Sequence, residues 1–217
     1  MAHYSIFIFR TDAMRHSSSL LFLAAVLALP LSLAGCTPVG VAVGAGATVG
    51  SVALEERGFE QGVKDRVTEA AISKSLFDYN LDAFGDVGVE VVEGRVLLTG
   101  RVDKPEHRVE AVRFAWQEEE VVEVINEIRV GTSDDALADR GKDAWIATQL
   151  RTKITLDSQV KAVNYSAEVV DGTIYLFGIA QNESELKRVV AHARTIENVR
   201  RIVPDYVRMK DDPSRAG

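Results

Sequence analysis

Shifting the chain against itself by 78 residues, without a gap, lays Lys64-Asp65 on Lys142-Asp143 and "EVVEG" at 90–94 on "EVVDG" at 168–172. The same offset places Leu98 on Leu176, Gly100 on Gly178, Val112 on Val190, Ala115 on Ala193 and Val121 on Val199. A chain that repeats itself in this way folds twice into one unit, which reduces the fold problem to a module of about 70 residues. So short a module buries little apolar surface by itself, and the two copies are therefore expected to pack together.

Each copy reads alike. A helix is predicted over 62–77 and again over 140–156, with the ridges Thr68, Ile72, Leu76 and Ile146, Leu150, Ile154 on one face. Two strands with alternating apolar residues follow: Val87, Val89, Val91 with Val96, Leu98, then Tyr165, Ala167, Val169 with Ile174, Leu176. Between them lie Glu93-Gly94 and Asp171-Gly172, as a tight hairpin requires, because glycine takes positive φ without a Cβ clash. A second helix over 105–118 or 183–195 leads to a last strand through Val124, Ile128 and Val130, or through Ile202 and Tyr206. The unit is αββαβ, which gives an α+β fold: two tandem modules, each a small three-stranded mixed sheet with two helices packed on one face.

Four glycines fit this frame as structural residues, Gly94 and Gly172 in the turns and Gly100 and Gly178 closing the second strand by close backbone approach. Pro204 falls where the first copy has Asn126. Proline cannot donate to a ladder, so that strand is expected to lie at an edge or to bulge.

The ends carry other signals. Arg10 and Arg15 precede "LLFLAAVLALPLSLAGC", the basic start, apolar centre and small-residue end of a signal peptide. The stretch Leu33-Ala34-Gly35-Cys36 resembles the lipobox of bacterial lipoproteins, which implies cleavage before Cys36 and lipidation of its thiol; Thr37 in the next position implies the outer membrane. The chain then divides into a signal peptide (1–35), a lipidated Cys36 with a Gly/Ala/Val-rich tether (36–61), a first module (62–131), a linker (132–139), a second module (140–209) and a disordered tail (210–217).

Several function classes are excluded. One cysteine allows neither an internal disulfide nor a cysteine-based zinc site. A net charge of −7 offers nucleic acid no bulk attraction. His107 and His192 do not correspond under the 78-residue offset and have no visible acid or nucleophile partner, and neither a nucleophile elbow nor a phosphate-binding glycine loop occurs. No catalytic residue, metal centre or cofactor is expected beyond the covalent lipid. The run Glu118-Glu119-Glu120 with Glu123 reads as a solvated turn, Arg200-Arg201 and Lys187-Arg188 as solvated charge, and Trp116 as a core or intermodule contact.

The copies differ in sign. Residues 62–131 hold nine Lys or Arg against fifteen Asp or Glu, whereas residues 140–209 hold eleven against eight. Only the second copy is positive. There, at 100° per residue, Trp145 points about 140° away from the apolar ridge, with Lys142, Gln149, Thr152, Lys153 and Leu156 within about 80° of it. An amphipathic aromatic ring bordered by lysines suits the membrane–water interface. The first copy has Val67 in that place, beside Asp65 and Glu69.

The repeat of "GRVLLTGRV" and "GTIYLFGIA", with "VVEVINEIRV" after the first, resembles the BON domain. Two copies behind a lipobox, with "NEIRVG" leading into "DAWIATQLR", resemble the dual-BON-domain outer-membrane lipoproteins associated with division and outer-membrane integrity. The resemblance implies a periplasm-facing, lipid-anchored protein that binds anionic phospholipids through the first helix of its second BON domain, where Trp145 matches the family's interfacial tryptophan. It also implies possible outer-membrane assembly proteins as partners. The competing expectation is an envelope protein-interaction scaffold without specific lipid recognition.

Overall fold

The computed structural model describes residues 55–131 and 136–215. The signal segment, Cys36 and most of the tether lie outside the described residues. The first module runs α1 (Phe59–Phe84), β1 (Val87–Val92), β2 (Arg95–Val102), α2 (Pro105–Ala115), β3 (Glu123–Asn126) and β4 (Arg129–Val130). The second runs α3 (Ala136–Leu156), a short 3-10 turn, β5 (Tyr165–Val170), β6 (Thr173–Ala180), α4 (Glu183–Arg194) and β7 (Arg201–Met209).

In each module the first two strands pair antiparallel, and the last returns beside the second in parallel, so the sheets are mixed. The strand order is β1-β2-β3, with β4 also against β2, and β5-β6-β7. The last strand is irregular at the same place in both copies. In the first it breaks between Asn126 and Arg129, where Asn126 Oδ1 accepts the Ile128 amide. In the second, β7 lies at the sheet edge and its register shifts after Val203, at Pro204, which has no amide to donate.

Alternation along the strands separates two faces. Val87, Val91, Val96 and Leu98 join Ile72, Leu76, Phe84, Ala111 and Ala115 in one core beneath the helices. Ile174 and Leu176 join Ile146, Leu150, Ile154, Val189 and Ala193 in the matching core. The opposite sheet faces meet each other: Val92, Leu97, Tyr175, Phe177, Ile179 and Val203 form a third core. The two modules are thus layered helices, sheet, sheet, helices within one compact unit.

Polar pairs rim this sheet-on-sheet contact. Buried Arg95 bonds Glu123 at 2.6 Å, donates to the Tyr206 carbonyl at 3.0 Å and lies over the Phe177 ring. Arg101 and Arg129 both reach Asp171, and the Tyr206 hydroxyl donates to Glu127. Glu123 is thereby an interface residue rather than part of a solvated turn, since Arg208 also reaches it.

Three expectations about boundaries change. The end of the stretch read as tether packs on the first module, because Arg57 donates to Asp65 at 2.7 Å and to the Val91 carbonyl at 2.8 Å. The first helices are longer than their apolar periods; α1 continues past residue 77 to an interruption at Asn80 (φ −164°), whose side chain caps a last turn through the Ala83 amide. In the tail read as disordered, Lys210 pairs with Glu56 at 2.9 Å, ahead of α1, and Arg215 with Glu93 of the first module at 2.8 Å.

Candidate functional site

Helix α3 is held at both ends. Asp143 in its first half accepts the amides of Asp171 at 2.7 Å and Gly172 at 2.8 Å, clamping the β5–β6 turn to the helix. Past its C-terminal end, Asp157 holds Arg188 at 2.7 Å and His192 at 2.7 Å on α4. The His192 hydrogen bond, foremost, lowers the Asp157 carboxyl to about 2. Ile146, Leu150 and Ile154 are buried beneath. The remaining face is thereby fixed toward solvent.

That face carries all six residues singled out in the sequence. Trp145 is 43% exposed and Leu156 80% exposed, eleven residues apart on the same stripe. Lys142 and Thr152 are exposed, Gln149 and Lys153 half-buried. Thr152 is not a free donor, because its hydroxyl bonds the Thr148 carbonyl at 2.9 Å, as Thr148 bonds Ala144. Satisfying hydroxyls inside the helix leaves the stripe with an apolar character between its lysines. Lys142 lies 3.3 Å from Asp139.

Beside the stripe runs a groove of about 190 Å³, lined among others by Lys142, Asp143, Gly172, Asn198 and Arg200. Arg200 packs its aliphatic stem against Gly172 and is exposed. Its counterpart Val122 packs against Gly94 in the same way. Across this one loop "EEEVVE" at 118–123 becomes "IENVRR" at 196–201. Much of the sign difference between the modules is therefore concentrated next to the α3 stripe. Arg200, read from sequence as solvated charge, sits 55 positions from Trp145, a separation that no helical period reveals.

Trp116 is 52% exposed, not core or intermodule contact, because α2 ends at Ala115 and turns its next residue outward. Both histidines do have acid partners, His107 with Asp103 at 2.6 Å and His192 with Asp157. Among the described residues neither pair has a hydrogen-bonded nucleophile; both fasten helix ends.

The glycines are placed by contact. Glu93-Gly94 and Asp171-Gly172 all have positive φ, between 50° and 71°, the signature of a type I′ hairpin. At Gly100 and Gly178 a Cβ would stand 1.9 Å from the Asp86 carbonyl oxygen and 2.0 Å from that of Asn164.

The model of the BON domain matches residues 64–132 and 142–207. The chain belongs to the BON-domain family. It holds two copies of the domain in tandem. An uncharacterized protein in the gshII 5' region of Anaplasma centrale is 39% identical over 153 residues, covering 70% of this chain and 99% of that one. The outer membrane lipoprotein DolP of Haemophilus influenzae is 29% identical over 182 residues, 83% of this chain and 92% of its own. A 21 kDa hemolysin of Actinobacillus pleuropneumoniae is 27% identical over 142 residues, 65% of this chain and 72% of its own. Among the described residues no helix is long and apolar enough to cross a membrane.

Proposed function

We propose that this dual-BON protein is anchored at the periplasmic face of the outer membrane by lipid on Cys36 and binds anionic phospholipid through the exposed stripe of α3, supporting outer-membrane integrity without catalysing a reaction. The observation that carries this reading is the coincidence of Trp145 and Leu156, both solvent-exposed on one face, with the lysines and the Arg200 loop of the positive module. The name of the Haemophilus influenzae relative supports the envelope setting. In this mechanism the indole and Leu156 enter the headgroup boundary while Lys142, Lys153 and Arg200 face anionic headgroups, each cation contributing about 1 kcal/mol near the surface. The anchor keeps the stripe close to lipid, so a weak contact is sufficient.

Sedimentation with phosphatidylglycerol vesicles tests it. Trp145→Glu and Leu156→Glu should each abolish binding, and Lys153→Glu, a change of two charges, should weaken it by about thirtyfold. Phosphatidylcholine vesicles should not be bound. Unchanged binding by Trp145→Glu would overturn the assignment.

One observation favours a second reading, an interaction scaffold. Phe59, Val63 and Val67 are exposed at four-residue spacing on α1 of the acidic module, where anionic lipid is repelled. That strip suits a protein partner better than a membrane.

A further inference from the structure

Nearly everywhere around the module interface a carboxylate meets a cation: Asp171 with Arg101 and Arg129, Glu123 with Arg208, Glu93 with Arg215, Glu56 with Lys210 and Lys161. Among the described residues Glu127 meets the Tyr206 hydroxyl instead, and the pair Glu90 and Glu168 departs from this pattern. Glu90 and Glu168 occupy the same repeat position, and both stand on the inner faces of their sheets, since Glu90 is in register with Leu97 and Glu168 with Tyr175 of the shared core. The two edge strands meet where Glu90 and Ser166 line one cleft, and with a Glu168 oxygen 3.4 Å from where a Cβ on Gly88 would stand. The Glu168 carboxylate thus reaches across to the first module's edge strand, within contact distance of residue 88.

The surroundings supply too little positive charge. From α1, Arg66 lies 3.5 Å from Glu90 and 2.8 Å from Glu69, so one guanidinium serves two carboxylates. Arg57, ahead of α1, acts on Glu90 from a distance but is itself bonded to Glu55 and Asp65. From β2 the facing group is Thr99, from β5 Ser166, and from β6 Tyr175, whose hydroxyl accepts from Arg129. Arg151 of α3 lines the cleft that Glu90 borders. Glu168 has no cation within ion-pairing distance among the described residues.

We propose that Glu90 and Glu168, with Glu69 behind them, form a proton-dependent catch between the two modules, closed while the carboxylates hold protons and loosened when they ionise together. A neutral carboxyl can donate a hydrogen bond and bears no charge to be desolvated, whereas like charges sharing a half-buried seam repel. The titration behaviour agrees. Burial first, then the charges of Glu90 and Glu69, push Glu168 up to about 7. Burial and Glu90 push Glu69 up to about 7 against the pull of Arg66, and Glu90 itself is raised by burial. The cleft of about 220 Å³ beside Glu90 and Ser166 gives protons and water access to the seam. Opening there would expose the apolar core between the sheets.

The test is NMR on the full-length protein in detergent micelles. Side-chain carboxyl signals of Glu168 and Glu90 are titrated, and cross-module NOEs between the Leu97 methyls and the Tyr175 and Phe177 rings are followed over the same range. Expected is a Glu168 midpoint near neutral pH, with the NOEs strong at about pH 5 and lost by about pH 8.5. Glu168→Gln and, separately, Glu90→Gln should retain the NOEs at the higher pH. An ordinary Glu168 midpoint of about 4.3, NOEs in the unsubstituted protein that do not change with pH, or a pH-dependent loss that survives both substitutions would each overturn the proposal.

Discussion

Asp65 and Asp143 illustrate how much of this fold rests on a single side chain used twice. Asp65 accepts the amides of Glu93 at 2.8 Å and Gly94 at 3.0 Å, as Asp143 does for its own turn. Both amides at each turn lie where the hairpin has no backbone acceptor for them, so the carboxylate both satisfies two donors and fixes the hairpin to the helix. Removing it orphans both. Asp143→Ala should cost about 2 kcal/mol or more, and Asp143→Asn less, because one carboxamide oxygen remains to accept; urea midpoints of the two variants decide this. Gly100→Ala should be harsher still, about 3 kcal/mol or more, since its Cβ collides with backbone rather than with a movable side chain and its φ is +97°. The glycines were legible in the sequence because turn chemistry is local. The aspartates were visible only as an aligned pair, because their partners lie 28 residues away and leave no periodic trace.

At the level of elements, α1 and α3 share one framework and differ in what they present. The period of the ridges placed both helices and the outward direction of Trp145, since burial of one face determines the other. Periodicity could not show what neighbouring loops contribute, and so it missed Arg200 and misplaced Trp116. It also passed over Asp103–His107, a helix-start pair four residues apart, whereas Asp157–His192 joins segments 35 residues apart and needed the fold. If the stripe and its loop act together, grafting the ring alone onto the acidic module is insufficient. Val67→Trp, combined with Trp145→Ser, should not restore vesicle binding. Arg200→Val, the residue of the first copy, should weaken binding by about fivefold and flatten its salt dependence without changing the unfolding midpoint. Full binding by the Val67→Trp, Trp145→Ser protein would show that aromatic exposure alone suffices.

The whole molecule is held by two sheets whose inner faces are apolar in the middle and ionic at the rim, and its carboxylates fall into two opposed classes. Glu56 is held at about 2, first by its hydrogen bond to Lys210 and then by Gln181, with Lys161 adding attraction. Its folded value lies below the unfolded one, so its contribution is complete above about pH 4.5 and is lost as the pH falls toward 2. Glu69 and Glu168 behave inversely. With folded values near 7, they bind protons in the folded state that the unfolded chain has released, so stability declines as pH rises from about 4.5 to 7 and then levels. The two limbs give a crest near pH 5, and they are separable by substitution. Thermal unfolding midpoints between about pH 2 and 9 should show the crest; Glu56→Gln should shallow the acid limb, which Asp157 shares, and leave the other limb unchanged, and Glu168→Gln should shallow the limb above it. A stability that stays level between about pH 5 and 8, or an acid limb unaltered in Glu56→Gln, would mean that other groups set the profile, and that the rim and the seam do not divide the work of holding the modules together.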